Sequence, residues 1–370
     1  MSQRPYQQCI RCVMDTSDTD IRFDEKGYCN HCTGYFDIIR SKTYQGQSSD
    51  EALQQLADRM KHDGRNSNYD CVIGISGGVD SIYTAWLAKQ LGLRPLTVHM
   101  DNGWNSELAV SNIEKVLHKL GLELYTYVLD WLEFSDLQLA FLKASVPEAE
   151  TPTDIAIPAV LHKIAAMHGI RYIFSGGNYV TEGILPKSWH YDAKDVTYLK
   201  AIHRRFGSCK LRSFPTFGYR TEAYYKLVRG IRMIYPLNLV PYNKKEAMKL
   251  LENELDWKYY GGKHHESIYT KWVQSYLLPE KFGIEYRKAT YSTQICAGEM
   301  TREEALEDLK NPPYDADKME ADHEYICQKF NISREEFGRI LALPPRAYSD
   351  YPNSKKWLEF VYGMYRRVSG

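Results

Sequence analysis

Four cysteines near the start of the chain have the spacing of a metal site. Cys9-x2-Cys12 is followed, after sixteen residues, by Cys29-x2-Cys32. Two such turns can direct four thiolates at one ion in a closed tetrahedral site. Because no coordination position stays open, the spacing predicts a structural role. Zinc is the expected metal, and an iron–sulfur cluster is the alternative that the same ligands serve.

A short loop of glycines and small polar residues follows the first apolar run of the main domain. Residues 71–75 predict a strand, residues 76–81 read Ser-Gly-Gly-Val-Asp-Ser, and residues 82–91 predict an apolar helix. Glycines bring backbone N–H groups close to an anion at a helix N-terminus, so the arrangement predicts phosphate binding. It is neither a Walker A loop nor a G-x-G-x-x-G motif. The alternative is an ordinary loop in which Asp80 is an acid favoured by the helix dipole.

This strand, loop and helix resemble the PP-loop of the ATP pyrophosphatases, which split ATP between the α and β phosphates. The resemblance implies that Asp80 lies near Mg2+ and that Asp80 and Ser81 take part in catalysis. It also implies a cradle for the nucleotide phosphates, formed by Ser76, Gly77, Gly78, Val79, Asp80 and Ser81.

Two later strand ends are expected at the same edge of the sheet. One ends in Asp101-Asn102-Gly103, where the PP-loop fold places adenine and ribose contacts, so Met100 and Asp101 are expected to bind the nucleotide. The other runs into a second glycine pair that begins at Gly176, a further expected cofactor contact. Glu182 follows and is expected to bind Mg2+ or act as a base, with a solvated loop acid as the alternative.

The alternation of strand and helix patterns predicts the elements that must position these loops. Strands are predicted at residues 96–100, 122–129 and 172–175, and helices at residues 109–120 and 155–168. Such alternation predicts an α/β fold, with a parallel sheet covered by helices on both faces. Ligands on such sheets bind at the carboxyl ends of the strands.

We expect three units along the chain. Residues 1–45 form a four-cysteine zinc-binding unit, residues 46–251 a PP-loop ATP pyrophosphatase domain, and residues 252–370 a mainly helical C-terminal region. Capping boxes are predicted to open two of its helices, at residues 301–304 and 333–336.

The combined motifs resemble those of the N-acetyl sugar amidotransferases of bacterial surface-polysaccharide (lipopolysaccharide O-antigen) biosynthesis, over nearly the whole chain. Besides the phosphate loop, the motifs are Arg11-Cys12-Val13-Met14-Asp15-Thr16, Cys29-Asn30-His31-Cys32, Met100-Asp101-Asn102-Gly103-Trp104, Gly261-Gly262-Lys263-His264-His265-Glu266 and Thr301-Arg302-Glu303-Glu304-Ala305.

The family resemblance implies an ATP-using synthetase that turns a sugar N-acetyl group, on a nucleotide sugar, into an acetamidino group. The amide oxygen attacks the α-phosphate to form an O-adenylyl imidate, and ammonia then displaces AMP. The implied cofactors are ATP, Mg2+ and structural Zn2+. The implied partners are a glutaminase subunit and a cyclase-like barrel subunit similar to those of imidazole glycerol phosphate synthase.

Composition argues against several classes of protein. Lys+Arg and Asp+Glu are both 47, so nothing global steers the chain to nucleic acid or an anionic membrane. No apolar run reaches the roughly 18 residues of a membrane span. The first residues lack the apolar region of a secretion signal, so a cytoplasmic protein is expected.

One stretch of the chain is locally basic, and it keeps a second hypothesis about the function open. Residues 187–232 hold eleven Lys/Arg against three Asp/Glu, which fits a grip on a substrate diphosphate, a partner surface or a solvated face. A tRNA-modifying sulfurtransferase also pairs a zinc unit with a PP-loop, but the remaining cysteines form no pair and the net charge is zero. A non-enzymatic adaptor is the third hypothesis, against which the intact loop argues.

Overall fold

The computed structural model describes residues 5–189, 192–259 and 266–359 of the chain. Within the motif at residues 261–266, residues 261–265 lie outside the described residues. In the described part, no helix is both long and apolar enough to cross a membrane.

A five-stranded parallel sheet forms the centre of the molecule, with strand order β3-β2-β1-β4-β5. The strands are β1 (Cys71–Gly74), β2 (Pro95–Asp101), β3 (Leu124–Val128), β4 (Tyr172–Phe174) and β5 (Arg232–Ile234). The register sets Ile73 of β1 between Thr97 of β2 and Phe174 of β4. The predicted α/β fold is therefore confirmed, although β5 was not predicted and β3 begins two residues later than expected.

Fifteen α-helices are described, and two of them, α9 and α11, run on into π-helical turns. They are α1 (Asn30–Lys42), α2 (Gln47–Asp63), α3 (Val79–Gln90), α4 (Glu107–Leu120), α5 (Trp131–Ala144), α6 (Thr151–Met167), α7 (Tyr179–Glu182), α8 (Val196–Phe206), α9 (Tyr219–Ala223), α10 (Lys244–Leu255), α11 (Ile268–Trp272), α12 (Tyr286–Cys296), α13 (Arg302–Asp308), α14 (Ala316–Phe330) and α15 (Arg334–Leu341).

Both faces of the sheet are covered because the side chains of each strand alternate in direction. Cys71 and Ile73 of β1 join an apolar cluster with residues of α3, α4 and α10. Val72, which lies between them, joins a second cluster with residues of α6 on the other face. This burial explains why β1 reads as an apolar run rather than as an alternating one.

Helix α6 begins four residues earlier than its apolar pattern predicts. Pro152 lies in its first turn, where a missing N–H costs nothing. The prediction therefore omitted Glu150 and Thr151, which stand at the start of this helix.

The N-terminal cysteine unit and the C-terminal helices share one apolar cluster. Polar contacts reinforce it: the Lys288 ammonium lies 2.6 Å from an Asp15 carboxylate oxygen, and the Val13 N–H donates to the Ser292 hydroxyl at 3.2 Å. At α13 the predicted capping box forms in full. At α15 only the serine half forms, since Ser333 accepts the Glu336 N–H without a described return bond.

Candidate active site and metal centre

The loop between β1 and α3 folds around the hydroxyl groups of its two serines. The Ser81 hydroxyl accepts the Ser76 N–H at 3.3 Å and donates to the Gly78 carbonyl at 3.0 Å. The Ser76 hydroxyl accepts the Gly78 N–H at 3.2 Å. Gly78 is the N-cap of α3, so the loop ends at the positive end of the helix dipole. This is the geometry of an anion-binding helix start.

Close packing from behind fixes the shape of the loop. Gly77 has φ of +88°, and a Cβ there would stand 3.0 Å from the Ala109 carbonyl oxygen. Its own carbonyl accepts the indole N–H of the buried Trp257 at 2.9 Å. The loop is thus held by α4 and by the chain after α10.

The predicted catalytic acid Asp80 has a partner that the sequence did not reveal. The hydroxyl of Tyr242 donates to its carboxylate. Burial and the charge of Asp80 raise the pKa of Tyr242 well above its ordinary value, so this phenol stays a proton donor. The bond orients the carboxylate in the first turn of α3.

Gly176 meets the phosphate loop at van der Waals distance. A Cβ on Gly176 would lie 2.8 Å from both the Asp80 carbonyl carbon and the Ser81 nitrogen. The second glycine pair therefore serves close backbone packing between β4 and α3.

We expect Gly176→Ala to displace the start of α3, lowering the free energy of unfolding by about 1–3 kcal/mol. Gly177→Ala is the matched control, because its Cβ would meet only the side chains of Tyr235 and Ser175, at 3.3–3.5 Å. For Gly177→Ala we expect the free energy of unfolding to fall by less than about 0.5 kcal/mol. Chemical denaturation of both variants measures the difference, and equal stabilities would contradict this role of Gly176.

A small cavity of about 190 Å³ lies directly against the phosphate loop. Its described lining residues are Ser76, Gly78, Val79, Asp80, Ser81, Gly176, Gly177, Glu182, Lys244 and Glu266. Lys244, the first residue of α10, supplies a cation, and Asp80, Glu182 and Glu266 supply the oxygen donors that Mg2+ prefers. The residues therefore fit a polyphosphate with its magnesium ion.

A larger cavity of about 710 Å³ adjoins the first and shares four of its lining residues. Apolar side chains such as Val98 and Met100 line one part of it. Among the described residues, four carboxylates and no lysine or arginine line this cavity; the acids are Glu150, Asp154, Glu182 and Glu266. Carboxylates thus line both cavities, and Glu182 and Glu266 are shared, but among the described residues the lysine lines only the small cavity beside the loop.

The Asp-Asn-Gly turn after β2 supports the larger cavity from one side. The His99 ring joins the Ile75 carbonyl at 2.8 Å through Nδ1 and the Asn105 amide at 3.0 Å through Nε2. Asp101 accepts the Gly103 N–H and the Asn105 amide. Neither Asp101 nor Gly77 is among the lining residues of the two cavities. Their nucleotide contacts remain predictions.

The four N-terminal cysteines meet in one buried cluster, with all four sulfur atoms within 4.8 Å of one another. The Sγ atoms of Cys9 and Cys32 are 3.8 Å apart, and those of Cys12 and Cys29 are 3.6 Å apart. A tetrahedron with metal–sulfur bonds of about 2.3 Å has edges of about 3.8 Å. The cluster therefore fits a single tetrahedral ion, whereas an iron–sulfur cluster binds the thiolates through separate irons and spreads them further apart.

Groups around the cysteines favour thiolate ligands. The Cys29 N–H points at the Cys9 sulfur at 3.3 Å, and the Arg11 guanidinium lies 3.7 Å from the Cys32 sulfur. Cys296 of α12 interacts with Cys32, which its sequence position did not indicate.

The cations of the basic stretch lie away from both cavities. Among its described residues, no lysine or arginine lines either one. Lys194 instead pairs with Glu222 at 2.7 Å. The grip on a substrate diphosphate, one of three interpretations of this stretch, therefore gains no support from these positions.

A second group of metal-type donors packs this stretch against α5. Asp136, His203 and Cys209 bring ligand atoms within 4.8 Å of one another. The Asp136 carboxylate already accepts the His203 ring at 3.1 Å and the N–H groups of Ser208 and Cys209. Its contacts anchor the loop after α8.

Several cavity residues were missed because they come from distant parts of the chain. Lys244 follows a helix N-cap and carries no motif. Glu150 and Asp154 stand four residues apart on one face of α6, a spacing that indicated paired acids once the helix start was known. Predicted residues that the structure brings together are Ser76, Gly78, Val79, Asp80, Ser81, Met100, Gly176 and Glu182.

The structure is an α/β protein with a glycine-containing loop between its first strand and the helix that follows. This is the arrangement that the sequence predicted for the PP-loop class. Residues 266–365 match the family model of the LPS biosynthesis protein WbpG-like, C-terminal domain. This match agrees with the predicted resemblance to proteins of surface-polysaccharide biosynthesis. No curated protein matches the chain in sequence.

The solved structures that match the chain include three at low identity and low TM-score. An NMN synthetase from Francisella tularensis is 16% identical over 77% of this chain and 97% of that chain, with a TM-score of 0.36. An NH3-dependent NAD synthetase from Campylobacter jejuni is 17% identical over 55% of this chain and 84% of that chain, with a TM-score of 0.30. A predicted subunit of tRNA methyltransferase from Methanocaldococcus jannaschii is 17% identical over 49% of this chain and 72% of that chain, with a TM-score of 0.28. TM-scores this low carry no argument about the activity of the chain.

Proposed function

We propose that this chain is an ATP-dependent amidotransferase of lipopolysaccharide O-antigen biosynthesis. It converts the N-acetyl group of a nucleotide sugar into an acetamidino group and releases AMP and pyrophosphate. The match of its C-terminal residues 266–365 to an LPS biosynthesis family model supports the biological setting.

The observation that carries the proposal is the junction of the two cavities. ATP is an anion and needs the loop N–H groups and Lys244, which line the small cavity. Ammonium and the amidinium product are cations, and they suit a chamber lined by Glu150, Asp154, Glu182 and Glu266. The joined cavities therefore offer N–H groups and a lysine to the anionic co-substrate, and carboxylates to the cationic partners.

In the first step the loop holds the β- and γ-phosphates while the amide oxygen of the sugar attacks the α-phosphorus. A phosphorus–oxygen bond forms, the bond between the α-phosphorus and the bridging oxygen breaks, and pyrophosphate leaves. Lys244 neutralises charge on the departing phosphates, and bound Mg2+, held by carboxylates such as Asp80 and Glu182, would add to this neutralisation. The rest of the catalysis is alignment of the two reactants.

In the second step ammonia attacks the imidate carbon, and AMP leaves as the carbon–oxygen bond breaks. The acidic chamber stabilises the positive charge that develops on the two nitrogen atoms. The apolar wall formed by Val98 and Met100 offers a surface for the adenine of the AMP group.

The ammonia comes from a partner in this proposal, namely a glutaminase subunit with a barrel subunit that conducts it. A glutaminase needs a nucleophilic cysteine. Cys71 is fully buried in β1, and the four N-terminal cysteines belong to the metal cluster. Cys209, Cys296 and Cys327 lack the G-x-C-x-G sequence of a nucleophile elbow.

We therefore expect the purified chain to form AMP with ATP, an N-acetyl nucleotide sugar and ammonium, but not with glutamine. Mass spectrometry of the sugar checks the product, since oxygen is replaced by NH. Omission of the sugar is the control and should abolish AMP formation. Efficient glutamine-dependent turnover by the single chain would show that the partner proposal is wrong, and release of ADP in place of AMP would contradict the reaction itself.

A further inference from the structure

The wall between the larger cavity and the C-terminal helices contains hydrogen-bonding atoms without a partner. Six buried side-chain polar atoms in the described residues form no hydrogen bond, and they include Glu150 Oε1 and the Tyr269 hydroxyl. Unpaired buried polar atoms are rare in folded proteins, and each calls for a ligand, a water molecule or a function. Glu150 lines the larger cavity, and an open carboxylate oxygen there indicates a small hydrogen-bonding ligand.

The second carboxylate oxygen of Glu150 is fixed by a hydrogen bond. Oε2 accepts the hydroxyl of Thr270 at 2.6 Å, and both residues line the larger cavity. The Thr270 bond holds the carboxylate against α11, so that Oε1 stays available as an acceptor. A fixed carboxylate with one open oxygen recognises a cationic or N–H-donating group.

We propose that Glu150 forms the ammonium-binding site of the larger cavity and takes a proton from the bound ammonium before nitrogen attacks the imidate. Thr270 positions the carboxylate. The inference rests on the proposed amidotransferase function and adds the residue that makes ammonia nucleophilic.

The proton count of this step closes. Ammonium gives one proton to the carboxylate, and the freed lone pair of nitrogen forms the new bond to the imidate carbon. As the carbon–oxygen bond breaks, AMP leaves with that electron pair and with a second proton from the new nitrogen. The product is the acetamidinium cation, and Glu150 returns its proton to solvent when the product leaves.

The surroundings of Glu150 suit this exchange. Burial and the nearby Asp154 raise the pKa of Glu150 to about 8. A cation at Oε1 favours the ionised form, while its departure favours the protonated one. The carboxyl group can therefore gain and lose a proton near neutral pH, as a general base must.

The test compares two nucleophiles in Glu150→Gln. Ammonium must be bound and deprotonated, whereas hydroxylamine is already neutral at pH 7 and needs no base. We expect kcat/KM for ammonium, read as AMP release, to fall by at least about tenfold, since a general base contributes about 10²–10⁴-fold. With hydroxylamine only the contribution of Glu150 to charge stabilisation is lost, so we expect a clearly smaller decrease, and the remaining activity also shows that the variant is folded and forms the imidate.

Two further variants sharpen the test. Thr270→Val removes the 2.6 Å bond while keeping the size of the side chain, and should shift the ammonium response in the same direction by a smaller factor. Glu114→Gln, an exposed acid on α4, is the matched control and should behave as the wild type with both nucleophiles.

Equal losses with ammonium and hydroxylamine in Glu150→Gln would overturn the assignment and make Glu150 a structural or sugar-binding residue. Unchanged ammonium kinetics would overturn it as well. A wild-type protein that forms no AMP with any N-acetyl sugar and either nucleophile would instead refute the proposed function.

Discussion

Replacing Asp80 with alanine is expected to lower AMP and pyrophosphate formation by about 10³-fold, which is the size of effect seen when a group that stabilises transition-state charge is lost. Asp80 stands in the first turn of α3, lines the phosphate cavity and is oriented by Tyr242. Ser81→Ala should act in the same direction, because its hydroxyl joins Ser76 to Gly78 across the loop. Quantification of AMP and pyrophosphate by chromatography measures both.

The control for Asp80→Ala is Glu107→Ala, which removes an exposed acid from the first turn of α4. Both changes remove a favourable helix-dipole interaction of about 0.3–1 kcal/mol. Similar thermal stability in the two variants, with activity lost only in Asp80→Ala, separates catalysis from folding. Full AMP formation by Asp80→Ala would contradict its assigned role.

Replacing Cys29 with serine is expected to remove zinc from the protein and to unfold the N-terminal unit. A structural zinc ion contributes on the order of 10 kcal/mol to the folding of small zinc-binding units, so loss of one of four ligands is expected to cost several kcal/mol. Metal analysis by mass spectrometry and thermal denaturation measure the two effects.

The loss of structure in Cys29→Ser should extend beyond the cysteine unit. The Arg302 guanidinium of α13 donates to the carbonyl groups of Cys12 and Cys9 at 3.2 and 3.0 Å. The backbone around the metal therefore holds a C-terminal helix, and we expect proteolysis of Cys29→Ser to extend into residues 286–308.

Cys209→Ser is the matched control for the metal experiment, since Cys209 lies outside the four-cysteine cluster. It should keep the zinc content of the wild type. Full zinc occupancy in Cys29→Ser would refute the metal site, whereas iron in the wild-type protein would refute zinc as the metal.

Some features of the site could be predicted because they are encoded within a few consecutive residues. The loop at residues 76–81 forms its hydrogen bonds internally, between Ser76, Gly78 and Ser81. The sequence predicted a ligand contact for Gly176 but not its packing against α3. A Cβ at this position would meet the backbone of Asp80 and Ser81. A glycine pair shows where the chain approaches something closely, but not what it approaches.

The start of α6 shows why other features could not be predicted. Pro152 obscured the start of the helical pattern, although a proline in the first turn is compatible with a helix. Glu150 was therefore not considered, although it became the central residue of the acidic chamber. Its significance depends on Thr270, which is 120 residues distant in the chain.

The clustering of the four cysteines, the loop at residues 76–81 and the parallel α/β class could be predicted from the sequence alone, because short spacings and hydrophobic periodicity are set by local geometry. The fold was needed to show which acids meet beside the loop, that Lys244 lies next to it, and that the C-terminal helices pack against both the cysteine unit and the larger cavity. These groups come from elements far apart in the chain. They meet only when the sheet and its helices bury their common apolar surfaces, and no local spacing records that approach.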